Sequence, residues 1–189
     1  MAESDLIRSF SAIPLSAPIK AAVAAIQDRL KPSLPDIRWV KPESMHLTLH
    51  FFGDIDEENL EKAAAVMVSI ESLFSPFLMT LSGVGAFPSP KRSRVLWLGI
   101  KCNKMRGLHS ALTGGLIECG FSCDKRPFNP HITLGRIRGR AQDIRHILSP
   151  ERNTVAGEMT VDGLTLFESR LLPTGAEHRP RKTITFTAD

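Results

Sequence analysis

The chain has no tyrosine, two tryptophans and only three cysteines in 189 residues. Cys102, Cys119 and Cys123 are odd in number and contain no C-x-x-C pair, which argues against both a disulfide framework and a cysteine-rich zinc site. They read as reduced thiols. Long apolar runs are missing as well. Ala21 to Ile26 and Ala63 to Val68 fall far short of the roughly 20 residues that a membrane-crossing helix needs. Glu3, Asp5 and Arg8 stand where a secretory leader would build its apolar segment, so the expected location is the cytoplasm. Low-complexity segments and flexible linkers are also absent, which leaves one compact domain or two small lobes that do not move freely.

Hydrophobic residues make up 42% and charged residues 23%, a composition that can bury a core and excludes disorder as the main state. The net charge of +4 conceals an asymmetry. Residues 1–90 hold 7 Lys and Arg against 11 Asp and Glu, whereas residues 91–189 hold 17 against 9. Clustered cations attract phosphates, so the second half points to an anionic partner such as nucleic acid or a phosphorylated small molecule.

Strand and helix patterns alternate along the chain. Arg8 to Ile13 reads as a strand, Ile19 to Leu30 as a helix, Ile37 to Val40 as extended and His46 to Phe52 as a strand. A helix follows, with Glu57, Glu58 and Glu61 at its positive end and Leu60, Ala64, Met67 and Ile70 at helical spacing. Phe77 to Leu81 and Val95 to Ile100 read as strands around a basic connection, Gly83 to Arg94. A helix over Lys104 to Cys119 contains Gly107, Gly114 and Gly115, each costing roughly 1 kcal/mol against alanine. His131 to Ile137 is a predicted strand, Gln142 to Leu148 a short helix, and Glu158 to Leu172 and Thr183 to Thr187 further strands.

An internal echo stands out from this pattern. Met45-His46-Leu47-Thr48-Leu49 returns 85 residues later as Pro130-His131-Ile132-Thr133-Leu134. A repeat at close to half the chain length implies two similar lobes rather than a solenoid. In a strand, His46 and Thr48 share one face and Leu47 and Leu49 the other, and the same holds for His131 and Thr133. Two such strands side by side bring two imidazoles and two hydroxyls to one cleft. Imidazoles with an ordinary pKa near 6.5 can serve as acid and base together near neutral pH, and the hydroxyls can hold phosphate oxygens. Chance alone supplies roughly 0.35 occurrences of H-x-T at this composition, so one copy means little and the matched pair carries the inference.

The two tetrads resemble the paired H-x-T-x signatures of the two-histidine (2H) phosphoesterases, in the branch of RNA 2′,3′-cyclic phosphodiesterases once named 2′-5′ RNA ligases. Gly83 to Pro88, Val95 to Gly99, Arg126 to Phe128, Pro130 to Arg136 and Leu166 to Leu171 resemble stretches of that branch in the same order. The resemblance implies an α+β fold of two pseudo-symmetric lobes, each with an antiparallel sheet and helices, forming a single bilobal domain over residues 1–189 with the site in the cleft. It implies no metal and no cofactor. By position, His46 would be the proton donor to the leaving oxygen and His131 the acceptor that activates water, a pair whose roles could be exchanged on the sequence alone. Thr48, Thr133 and Arg136 would hold the phosphate. The implied substrate is RNA or an oligonucleotide with a 2′,3′-cyclic phosphate end, opened to a 2′-phosphate, with reversible 2′-5′ ligation as a second activity, the joining of a 5′ hydroxyl to the cyclic phosphate being the reverse of cleaving a 2′-5′ linkage, and a monomer as the working form. Where this branch often carries an aromatic residue after a Gly-Ala-x step, Gly175-Ala176-Glu177 is followed here by His178.

Several residues have two readings. Strict alternation sends Arg136 to the core side unless Gly135 bulges, and the bulge is the expectation, because a buried unpaired guanidinium is costly. Alternation also sets His50 beside His46 and Thr48, where it reads as an ordinary strand-end histidine. Phe52 or Phe87 could stack on a base, but both read first as core residues, and His109, His146 and His178 as non-functional. Lys91, Arg92, Arg94, Arg138 and Arg140 either guide RNA or are solvated surface charge. A non-catalytic RNA-end or nucleotide-binding module is the alternative from another class. A metallohydrolase is a third, weakened by the lack of a carboxylate beside either tetrad.

Overall fold

A computed structural model describes residues 6–124, 126–172 and 175–188; Glu3 and Asp5 lie outside them. The strands are β1 (Ile7–Pro14), β2 (Ile37–Trp39), β3 (His46–Ile55), β4 (Phe77–Phe87), β5 (Val95–Lys101), β6 (His131–Ile137), β7 (Val155–Val161), β8 (Gly163–Leu172) and β9 (Gly175–Thr185). The α-helices are α1 (Ala17–Leu30), α2 (Glu57–Ser69), α3 (Lys104–Glu118) and α4 (Arg145–Leu148). All described strand pairs are antiparallel, in the order β7-β4-β5-β6-β3-β1-β8-β9, with β2 added beside β6. Five strands, β7, β4, β5, β6 and β2, therefore stand on one side of the β6–β3 seam and four on the other, and the seam rests on one partnered position, Leu47 with Ile132. The α+β class and the two-lobed sheet expected from the repeat are both present.

The helices form where the pattern requires them and cover one face of the sheet. In α1, Ile19, Val23, Ile26 and Leu30 are buried at helical spacing, and a proline sits in the first turn, where its missing N–H costs nothing. The Asp56 carboxylate caps α2 by accepting from the Asn59 N–H at 2.9 Å. Helix α3 forms despite its glycines, and Gly115 has a use: a side chain there would meet Val66 of α2 at 2.8 Å. Val23, Ile26, Met67, Leu112 and Leu116 join Leu47, Leu49, Ile132 and Leu134 in one hydrophobic core, so the apolar members of both tetrads anchor the strands on the helices.

Three elements differ from the sequence pattern. The segment Gly83 to Phe87 continues β4, because Gly83 adopts φ +79° at a register shift and lets the strand resume beyond it. Glu158 to Leu172 is two strands that break at Asp162, and β9 starts at Gly175, well before Thr183, zipped to β8 over its length. The short helix α4 covers only Arg145–Leu148.

Candidate active site

Because β3 and β6 run antiparallel through Leu47 and Ile132, His46 and Thr133 lie at one end of that pair and Thr48 and His131 at the other. Leu47 and Ile132 are fully buried, so all four neighbours project to the opposite face, and each is half-buried there. The tetrads thus meet as the repeat predicted, with the histidines on a diagonal. No hydrogen bond to a protein group occupies either threonine hydroxyl among the described residues.

Both imidazoles are held in the same way. His46 Nδ1 lies 2.8 Å from the carbonyl oxygen of Ser44, and His131 Nδ1 lies 2.7 Å from that of Asn129. A carbonyl only accepts, so Nδ1 carries the proton and donates in each ring. Nε2 is left as the nitrogen that can exchange a proton with a bound molecule.

Their surroundings differ. The His46 ring stacks on Phe10 at 4.5 Å between centroids and meets the edge of His178 at 5.2 Å and 88°. Phe167 lies beside both rings, 5.3 Å from Phe10 and 6.4 Å from His46 between centroids. Burial, then the neighbouring His178 and more weakly Lys20, push the His46 pKa down to about 4, against the opposing pull of the Ser44 carbonyl. His46 is therefore neutral at pH 7 when nothing is bound. On the second lobe, His131 has the edge of Phe87 at 5.0 Å, and Phe87 leans on Trp97 at 5.4 Å. Phe87 and His178, expected in the core and outside the site respectively, both touch the site histidines. Phe87 was marked only as one of two aromatics that could stack on a base, with core packing the favoured reading. The Gly175-Ala176-Glu177-His178 departure marked His178.

The strands then change face by the same device in both lobes. Ser11 pairs with His50 and Ala12 with Thr48, which leaves Leu49 without a partner on β1; Leu96 pairs with Gly135 and Trp97 with Thr133, which leaves Leu134 without one on β5. These are β-bulges, each adding one residue to a tetrad strand, and β3 has a further one at Phe52, between the Gly53–Ser9 and Phe51–Phe10 pairs. Leu49 and His50 are consecutively buried, as are Leu134 and Gly135, and the next residue, Phe51 or Arg136, emerges on the site face. Arg136 is exposed there, as the expected bulge requires, although the bulge falls at Leu134 rather than at Gly135. His50 is carried to the helix side, buried against Phe52 and near His109, its pKa lowered chiefly by burial. Its strict-alternation placement beside His46 is overturned by the same bulge. Phe52 packs on Phe121 against the core, as expected.

Helix α1 holds the second bulge. Gln27, 2% exposed, donates from Nε2 to the carbonyls of Leu134 and Val40, each at 2.9 Å, and the Val40 N–H donates to the same Leu134 carbonyl. The bulged Leu134 carbonyl thus has two donors, the Val40 N–H and the Gln27 side chain, which pin it from the β2 side and from the helix. Among the described residues, no group of three His, Cys, Asp or Glu side chains has the geometry to hold a metal ion, and no helix is long and apolar enough to cross a membrane.

A family model described as LigT like Phosphoesterase matches residues 13–97 and 101–177. The chain is 33% identical over 172 residues to a Methanothermobacter thermautotrophicus protein named RNA 2′,3′-cyclic phosphodiesterase, covering 89% of this chain and 93% of that one. A Thermotoga maritima protein of the same name is 31% identical over 89% of this chain and 90% of its own length. Among solved structures, TT0787 of Thermus thermophilus superposes with a TM-score of 0.84 at 27% identity, covering 97% of this chain and all of that one. Escherichia coli LigT in its apo form gives 0.79 at 27% identity over 97% and 99%, and LigT has also been solved with 3′-AMP. With its matched segments spanning most of its length and both tetrads at the seam of the sheet, the chain belongs to the LigT-like phosphoesterases.

Proposed function

We propose that the chain hydrolyses 2′,3′-cyclic phosphate ends of RNA to 2′-phosphates, the activity for which its curated relatives are named. The observation that carries the reading is the antiparallel meeting of the two H-x-T strands, each imidazole fixed through Nδ1 and free at Nε2. A phosphate bound on this face would meet the two Nε2 atoms, the two threonine hydroxyls and, past the bulge, Arg136, all of which project from it.

His131 Nε2 takes a proton from water as the water oxygen bonds to phosphorus. The P–O3′ bond breaks, and His46 Nε2 gives its proton to the departing 3′ oxygen. Thr48 and Thr133 donate hydrogen bonds to the non-bridging oxygens, whose charge grows in the transition state, and the Arg136 guanidinium offsets that charge. His46 rests neutral, so its acid role requires the cyclic phosphodiester anion to raise its pKa on binding. Phe51, 66% exposed at the position matching Arg136, offers a ring face on which the terminal base can stack. With a 5′ hydroxyl in place of water as the nucleophile, the same two histidines in the same roles would form a 2′-5′ linkage as the P–O3′ bond breaks.

Both histidines come from one chain, so the proposal includes a monomer as the working form. The three free cysteines suit a reducing compartment, and the proposal places the protein in the cytoplasm. The test is hydrolysis of a short RNA with a 2′,3′-cyclic end in EDTA, with the product end identified. A bell-shaped pH profile lost in both His46→Ala and His131→Ala is the expected result. Binding of the same RNA without turnover, equal in wild type and variants, would replace the enzyme by an RNA-end binding module.

A further inference from the structure

Arginines are treated differently on the two halves of the sheet. On β1, β8 and β9 each one has a carboxylate: Arg8 with Asp54 at 4.0 Å, Arg170 with Glu168 at 2.6 Å, Arg179 with Glu177 at 3.2 Å, and Arg181 with Glu168 at 3.1 Å. Beyond the second bulge the opposite holds. Arg38 of β2 stands directly across from Arg136 of β6, and directly opposed residues of an antiparallel pair project from the same face. Arg138 follows, on the same side as Arg136, because Ile137 between them is buried. Arg94 adjoins them, its carbonyl accepting from the Ile137 N–H and its guanidinium donating to the Gly139 carbonyl at 3.4 Å. All four are exposed, and among the described residues none has a carboxylate within ion-pair distance. The carboxylates nearest in sequence are engaged elsewhere: Asp36 accepts from the Gln142 side chain at 3.1 Å, and Asp143 is paired with Arg145 at 2.7 Å.

Like charges directly opposite on neighbouring strands destabilise a sheet, and a bound polyanion reverses the sign of that contribution. The patch is also placed for one. It continues the strand that carries His131, Thr133 and Arg136, so a chain whose terminal phosphate lies at the histidines can run along β6 onto these guanidiniums. We propose that Arg38, Arg94 and Arg138 form a backbone track for the phosphates upstream of the reacting end, so that the substrate is a single-stranded RNA chain rather than a cyclic mononucleotide. The track rests on the phosphodiesterase reading of the site and assigns it a substrate length.

The experiment compares kcat/KM for a 2′,3′-cyclic mononucleotide and for an oligoribonucleotide with the same terminal base and a cyclic end, over a range of salt concentrations. The oligonucleotide should be the better substrate, and its advantage should shrink as salt rises. Arg38→Gln and Arg138→Gln should each lower kcat/KM for the oligonucleotide roughly threefold and flatten its logarithmic salt dependence by about 0.7, the slope carried by one neutralised phosphate of a single strand, while leaving mononucleotide turnover unchanged. Arg38→Lys and Arg138→Lys should retain most of the salt dependence, since the charge remains. Equal kcat/KM and equal salt dependence for the two substrates would overturn the track and leave the catalytic reading standing, as would variants that slow both substrates alike. If neither substrate is turned over, the catalytic reading falls. Fluorescence anisotropy with a 3′-phosphorylated oligoribonucleotide then decides the track, which is overturned if the Arg38→Gln/Arg138→Gln double variant binds it as tightly as wild type.

Discussion

The two lobes use one backbone device to present different chemistry. In both, a histidine fixed through Nδ1 by the carbonyl two residues earlier is followed by a threonine on the same face, a bulged leucine and a residue that emerges on the site side. In the first lobe that residue is Phe51, and the histidine is walled by Phe10 and His178. In the second it is Arg136, opposed by Arg38 in a setting rich in unpaired arginines. Pseudo-symmetry thus fixes where the four site groups stand, and local substitution divides the labour: an apolar wall with an exposed ring on one side, cations on the other. The electrostatic consequence is that His46 is held neutral by its own surroundings.

The equivalence of the histidines can be broken most directly. His46→Ala and His131→Ala should each lower kcat by roughly 10²- to 10⁴-fold in a single-turnover assay, as expected for general acid–base groups. A variant that keeps wild-type kcat would remove that lobe's histidine from the chemistry.

The difference in burial has a thermodynamic counterpart. An unfolded chain protonates His46 near the ordinary value of about 6.5 and the folded chain only near about 4, so between these values the unfolded state holds more protons. Stability should therefore fall as pH drops through this window, with on the order of 3 kcal/mol from His46. His50, His109 and His178 are shifted in the same direction. Thermal melts across the window should show the slope, and His46→Asn should flatten it.

Gln27 sharpens the comparison because its hydrogen bond supports only the second bulge. Gln27→Leu should cost about 1–3 kcal/mol in a denaturant melt, since it strips buried carbonyls of a donor. It should also lower kcat/KM, and by much less when Arg136 is already glutamine, if its effect on the site runs through Arg136. Phe51→Ala should weaken binding of RNA ends by an amount worth about 1–3 kcal/mol per stacked base, seen as a raised KM with kcat largely kept. The smallest effect belongs to His178→Phe, which keeps an aromatic edge and removes an ionisable neighbour. The His46 pKa should move up from about 4 when followed by NMR titration of its ring protons.

Much of the site was legible because tetrads on strands are local. The two-residue period puts His46 with Thr48 and His131 with Thr133 and sends Leu47 and Ile132 to the core, while the pairing of Leu47 with Ile132 brings the two polar pairs onto one face. The bulges were only partly legible. Arg136 called for one because a guanidinium resists burial, whereas nothing at Leu49 or His50 announced the matching one, and His50 moved to the helix side with it. Register slips of this kind depend on what the neighbouring strand offers, and β1 and β5 lie far from β3 and β6 in sequence.

The sequence by itself determined the two lobes, the paired tetrads and the excess of cations in the second half, since each is written in local periodicity or composition. Tertiary structure decided which side chains surround each imidazole. His178, 132 residues beyond His46, reaches it only because β9 pairs with β8, β8 with β1 and β1 with β3. It also decided which arginines find carboxylates and which face one another, because strand pairing between distant segments sets the distances on which charge interactions depend.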